Sequence, residues 1–169
     1  MTNELEILRS VNEENRITQR ELAKRTGLSL GSVNVLVKRL IHKGLIKIEH
    51  VNARTIKYIL TPKGLMEKAR LTYHYIVQSY NYISNIEYKL EQIICQKKQG
   101  IKLILYGNKD ELYDIISAKL RSLNEEFTYV ERDTELSQIS DGEYIVITWH
   151  PEDIDNNIIK NINIVSILK

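Results

Sequence analysis

At 169 residues and 43% hydrophobic content, the chain is long enough for one medium domain or two small ones with buried cores. No run approaches the roughly 20 uninterrupted apolar residues that a bilayer crossing needs, and Cys95, the single cysteine, excludes an internal disulfide. The net charge of +2 conceals a split: residues 1–68 hold 13 Lys/Arg against 7 Asp/Glu, whereas residues 101–169 hold 7 against 13. A basic front and an acidic back imply two domains with different partners.

The opening MTNELEILRS carries acidic residues and no basic leader region, so it does not read as a signal peptide. Together with the lone cysteine, this leads us to expect a soluble, cytoplasmic chain. Leu5, Ile7, Leu8 and Val11 suit a first helix, with the polar run from Asn12 to Asn15 as its exit. Thr18 and Glu21 have capping-box spacing and open a second helix, which runs through Leu22 and Ala23 to a turn at Gly27.

The stretch SLGSVNVLVKRLIHKG, from Ser29 to Gly44, reads as one amphipathic helix. Ser29 can cap its start and Gly44 can close its end. Val33, Leu36, Val37, Leu40 and Ile41 recur at spacings of three and four and so share one face. The opposite face carries Gly31, Ser32, Asn34, Val35, Lys38, Arg39 and His42. Small and hydrogen-bonding side chains come first and cations follow, the order required of a helix that enters a major groove and anchors on phosphates. Two short helices joined through Gly, the second capped by Ser, form a helix-turn-helix pattern. Leu45–His50 and Ile56–Leu60 then read as two strands of a wing, with Arg54 at its tip. An arginine there suits a narrow minor groove.

The run TQRELAKRTGLSLGSVNVLVKRLIHKGLIKIEH followed by ARTIKYILTPKGLMEKA resembles a MarR-type winged-helix transcriptional regulator, and within that family the exopolysaccharide-associated subgroup. The resemblance covers residues 3–75. It rests on QREL in the second helix, SLGSVN opening the third, KGLIK entering the wing and LTPKG leaving it. It implies that Ser29, Gly31, Ser32, Asn34, Val35, Lys38 and Arg54 face double-stranded DNA. Val35 departs from the polar or basic residue of many relatives, and either touches a thymine methyl or packs inward.

Thr61-Pro62 starts another helix, and no breaker appears between Leu65 and Gln99. One apolar stripe follows Ala69, Tyr73, Ile76, Tyr80, Ile83, Leu90 and Ile94. A neighbouring one follows Leu65, Ala69, Ile76, Ile83, Ile86, Leu90 and Ile93. Such a helix must bury its face, and a homodimer would also match two recognition helices to two half-sites. Tyr73, Tyr75, Tyr80, Tyr82 and Tyr88 are expected at the interface or in a core. Cys95, beside Ile93 and Ile94, is expected to be a buried, inert thiol.

After Gly100, Ile101–Tyr106 has strand length and apolarity. Asn108 and Glu111 are expected to cap a helix with Leu112, Ile115, Ile116 and Leu120 on one face. Strands follow at Phe127–Glu131 and Tyr144–Trp149, then a helix near Pro151–Asn161 and a strand at Ile162–Leu168. The expected fold is therefore an α+β winged helix-turn-helix (1–61), a long linking helix (62–99) and a small α/β Rossmann-like domain with a four-stranded parallel sheet (100–169).

In such a sheet any ligand lies at the carboxyl ends of the strands, which points to Gly107, Asn108, Asp133, Trp149 and His150 for a small molecule or nucleotide. Tyr106-Gly107-Asn108-Lys109 has one glycine where a dinucleotide site wants three. His42, His50, His74 and His150 lack metal-ligand spacing, and no nucleophile is paired with a base in a recognisable motif. We expect no catalytic residue, metal or cofactor. The leading expectation is a sequence-specific DNA-binding regulator whose acidic domain senses a ligand or oligomerises. A protein-interaction adaptor, or a small nucleotide-binding protein with a DNA tether, are the alternatives.

Overall fold

The computed structural model describes residues 2–52, 55–132, 143–149 and 161–164. They form two compact units, Met1–Ser79 and Tyr80–Lys169. The division falls inside one helix.

The first unit begins with α1 (Asn3–Glu13), α2 (Gln19–Thr26) and α3 (Leu30–His42). Each helix start has a local cause. Thr2 Oγ1 accepts from Leu5 N at 3.4 Å, and Ser29 Oγ accepts from Ser32 N at 3.2 Å. Thr18 and Glu21 form a full capping box: Glu21 N donates to Thr18 Oγ1 at 3.2 Å and Thr18 N donates to Glu21 Oε2 at 2.7 Å. α3 ends in a Schellman motif, since Leu45 N donates to Leu40 O and Gly44 N to Ile41 O, both at 2.9 Å. Gly44 has φ +71°, a value a side-chain-bearing residue adopts at a cost. Leu40 and Leu45, the apolar pair that accompanies the motif, are both buried.

β1 (Ile46–Asn52) and β2 (Thr55–Leu60) pair antiparallel in the expected hairpin, with a register shift between His50 and Asn52. The core of this unit joins Ile7, Leu8 and Val11 of α1 to Ile17, Leu22, Val33, Val37, Leu40, Leu45, Ile46 and Tyr58. Each fully buried Leu or Ile contributes about 1.5–3 kcal/mol by leaving water. Truncating Leu40, fully buried in α3, would remove that and leave a cavity, at a cost of about 2–5 kcal/mol.

The LTPKG segment turns the wing into α4 (Pro62–Gln96). Thr61 Oγ1 donates to Gly44 O at 2.7 Å and accepts from Gly64 N at 3.0 Å. Lys63 Nζ donates to Lys43 O at 2.9 Å. A Cβ on Gly64 would lie 2.0 Å from the Leu45 carbonyl oxygen, so this position requires glycine for space. α4 ends at Gln96, three residues short of the expected Gln99.

In the second unit β3 (Lys102–Tyr106), β4 (Phe127–Val130), β5 (Tyr144–Thr148) and β6 (Asn161–Asn163) pair in the order β4-β3-β5-β6, all parallel. Leu103, Ile104 and Leu105 of the inner strand β3 are all buried, as an apolar run covered on both faces should be. Leu103 and Leu105 join Ile86 and Leu90 of α4, Ile116 and Leu120 of α5 (Glu111–Ser122), and Ile147, Trp149 and Ile164 in one core. Ile104 points to the other face with Val130 and Val146. Two ion pairs tie the helices down: Lys119 Nζ to Glu91 Oε1 at 2.5 Å and Lys97 Nζ to Glu125 Oε2 at 2.8 Å. Glu91 holds the Lys119 ammonium above its ordinary value, chiefly through that hydrogen bond.

Two expectations are corrected and a third is narrowed. α5 is capped by Asp110, not by Asn108 and Glu111: Asp110 Oδ1 accepts from Leu112 N and Tyr113 N, both at 3.0 Å. Cys95 is exposed, because Ile93 and Ile94 take the inward positions and the next residue turns about 100° away. Tyr73, Tyr75, Tyr80, Tyr82 and Tyr88 are exposed within the chain, so none is a core residue of either unit. The expected helix at Pro151–Asn161, apart from Asn161, which opens β6, and most of the last expected strand lie outside the described residues.

Candidate nucleic-acid interface

The buried residues of α3 are Val33, Val37 and Leu40, and that placement turns Gly31, Ser32, Val35, Lys38 and Arg39 outward. Val35 is 69% exposed, which decides between the two orientations open to it: it does not pack inward. Asn34 is half-buried. Gly31, Val35 and Arg39 succeed one another at intervals of four and form one row along the helix; Asn34 and Lys38 form the next. Lys38 is in no ion pair among the described residues.

Ser29 is committed to capping, and its hydroxyl also lies 2.9 Å from Ser32 Oγ. The first turn of α3 has no acidic residue, in contrast to Glu4 and Glu6 in α1 and to Glu111 and Asp114 in α5. The partial positive charge of its N-terminus is therefore not offset locally by a carboxylate, which favours an approaching anion. Arg39 is held differently from Lys38. Its guanidinium is ion-paired with Glu4 of α1, and Lys43 Nζ lies 3.3 Å from the same carboxylate oxygen.

Leu28, Gly31, Ser32, Val35, Leu36 and Arg39 line an open concavity of about 500 Å3 on this surface. The structure thus brings together four expected site residues, Gly31, Ser32, Val35 and Arg39. It adds Leu28 and Leu36 as apolar walls and Glu4 as the partner of Arg39. Glu4 carries no local signal, because 35 residues separate it from Arg39. Leu36 carries the helical spacing of a core position and is only partly buried. On the wing, Ile48, Val51 and Ile56 are exposed apolar residues. Arg54 lies outside the described residues.

In the second unit Gly107 and Trp149 are in contact. Gly107 has φ +143°, and a Cβ there would meet Trp149 Cζ2 at 3.0 Å. Tyr129 Oη donates to Gly107 O at 2.9 Å, and Lys109 Nζ sits 4.6 Å from the centre of the Tyr129 ring. Trp149 is buried and Asn108 exposed. Two N–H groups at the start of α5 are held by the Asp110 carboxylate. Asp133 and His150 lie outside the described residues. No group of three or more His, Cys, Asp or Glu suited to a metal occurs among the described residues, and no described helix is long and apolar enough to cross a membrane.

Residues 2–47, from the start of α1 into β1, match the family described as winged helix-turn-helix DNA-binding. No curated protein matches the chain. Among solved structures, it is similar to the PcaV transcriptional regulator from Streptomyces coelicolor, at 18% identity and a TM-score of 0.48 over 73% of this chain and 79% of that one. It is similar to the zinc-responsive MarR family member ZitR of Lactococcus lactis, at 20% identity and a TM-score of 0.45 over 73% and 74%. MepR, a transcription regulator of the Staphylococcus aureus multidrug efflux pump MepA, aligns at 16% identity and a TM-score of 0.43 over 73% and 77%.

Proposed function

We propose that the chain is a transcriptional regulator that binds double-stranded DNA in a sequence-specific manner through α3 and the wing. The observation that carries this reading is the outward face of α3, which exposes Ser32, Lys38 and Arg39 on a helix-turn-helix whose residues 2–47 match a DNA-binding family. Ser32 and Asn34 read base edges, Gly31 admits the duplex, and Lys38 and Arg39 meet phosphates. Ser29 presents the α3 N-terminus, and Arg54, which falls between the two wing strands in the sequence, is assigned to the duplex on that ground. The likeness to exopolysaccharide-associated regulators, carried by QREL, SLGSVN, KGLIK and LTPKG, agrees with it. This is a binding function, not an enzymatic one.

The functional form is a homodimer joined through α4. Met66 is 74% exposed, Tyr73 66%, Ile76 59% and Tyr80 69%, an apolar surface that a second copy would remove from water. The Rossmann-like second unit serves as an oligomerising or sensing module. The oligomerising role is favoured because the α5 N-terminus is already satisfied by Asp110 and Trp149 covers Gly107. Its acidity keeps it from DNA, since like charge repels phosphate.

Fluorescence titration of a labelled random duplex and of genomic fragments, at several salt concentrations, tests the reading. Binding is expected to weaken steeply with salt, and Lys38→Ala is expected to lower the log–log slope by about one. An adaptor without DNA affinity would give no signal at moderate salt and would not be retained on heparin. Sedimentation of the free protein at the mass of one chain would rule out the dimer.

A further inference from the structure

We infer that Val35 is a specificity-determining residue that reads the C5-methyl group of a thymine in the major groove. The inference rests on the DNA-binding reading above and goes beyond it by naming the base and the atom recognised. Val35 is 69% exposed in the middle of α3, flanked on its own row by Gly31 and Arg39. An exposed β-branched residue is a poor choice for a helix: it loses side-chain freedom against the preceding turn and gains no burial in return. Nothing among the described residues accounts for it.

Gly31, one turn earlier, is equally unexplained from within. A Cβ there would meet only Ser29 Oγ, at 3.9 Å, so packing does not require glycine. Its φ is not positive, so backbone geometry does not require it either. Both residues line the same concavity, walled by Leu28 and Leu36 and bordered by Arg39 and Ser32. The missing side chain at Gly31 leaves a close approach open, and Val35 gives that approach an apolar contact.

The occupant must bring a small apolar group close to the helix and negative charge to its edge. A thymine in a duplex does both, because its methyl projects into the major groove and phosphates flank it. A purely apolar ligand would fit the walls but offer no charge to Arg39, which Glu4 only partly neutralises, or to the α3 N-terminus, whose first turn holds no acidic residue. The Ser32 hydroxyl, beside the concavity, accepts or donates a hydrogen bond to the neighbouring base edge.

The test uses the full-length chain. Duplexes are enriched by the protein from a randomised library, footprinted, and remade with each thymine singly replaced by 2′-deoxyuridine, which removes only the methyl. At one or more positions the wild type is expected to lose about fourfold in affinity, the value of one buried methyl. Val35→Ala is expected to bind the thymine and deoxyuridine duplexes equally, while Lys38→Ala keeps the fourfold difference. Val35 is exposed and alanine is the better helix former, so the variant should fold with an unchanged or slightly raised melting temperature. The inference is overturned if no deoxyuridine replacement weakens the wild type, or if Val35→Ala retains the loss. Failure to enrich any duplex overturns the DNA-binding reading itself, and this inference with it.

Discussion

The carboxylate of Glu4, in the first turn of α1, holds the guanidinium of Arg39 on the outward row of α3, and Lys43 Nζ lies 3.3 Å from the same oxygen. Two cations at the edge of the proposed interface are thus partly neutralised before any DNA arrives. Exposed ion pairs are worth about 0–1 kcal/mol to folding, so the pair matters more for where Arg39 sits and how much charge it offers. Glu4→Gln should leave the melting temperature nearly unchanged. It should tighten binding to random duplex and steepen the salt dependence, as read by anisotropy between low and moderate salt. Unchanged affinity with a lowered melting temperature would show that the pair is structural instead.

Gly31 predicts two effects of opposite sign. Gly31→Ala adds a side chain that meets only Ser29 Oγ, and it replaces the residue type with the largest backbone entropy loss. Chemical denaturation should show a gain of about 0.5 kcal/mol. DNA affinity should fall, because the new methyl stands where the duplex approaches. A variant that gains stability and keeps its affinity would place the duplex elsewhere on the unit.

Gly64 should behave in the contrary way. Its Cβ would sit 2.0 Å from the Leu45 carbonyl oxygen and 2.9 Å from Leu60 Cδ1, so backbone would have to move. Gly64→Ala should cost about 1–3 kcal/mol, the usual penalty for overpacking, and lower the thermal midpoint by several degrees. A midpoint within one degree of wild type would mean that the LTPKG turn is looser than its hydrogen bonds imply.

The capping box at α2 makes stability pH-dependent. The Thr18 backbone N–H first, and then its hydroxyl, hold the Glu21 carboxyl below its ordinary value of 4.5. A carboxylate whose pKa is lowered by folding stabilises the native state above its unfolded pKa. That contribution is lost as the pH falls through the lower folded value. The melting-temperature gap between wild type and Glu21→Ala should therefore be open at pH 7 and close below about pH 4.5. A gap that stays constant through that range would remove the capping role.

Much of the first unit was legible in the chain itself. The caps at Thr18 and Ser29, the stop at Gly44 and the hydroxyl cap of Thr61 on Gly64 depend on residues three to five positions apart. Local chemistry is therefore enough to specify them. The inward stripe Val33, Val37 and Leu40 was legible for the same reason, because helical period alone selects it.

Other features were decided by tertiary packing. The stripes of α4 showed which residues are apolar but not which find a core. Ile86 and Leu90 do, while Tyr73 and Ile76 remain exposed. Three acceptors stood near the start of α5, and the backbone path selected Asp110 over Asn108 and Glu111. The contact of Gly107 with Trp149 joins residues brought together by parallel pairing of β3 and β5, a relation no short-range pattern contains.

The helix from Leu30 to His42 was thus written locally, in its period and its cap. The exposure of Val35, the apolar walls beside it and the hold of Glu4 on Arg39 depend on how α1, α2 and the wing pack around α3. Periodicity divides a helix into faces, but only the neighbours that cover one face determine how much of each side chain the other leaves in water.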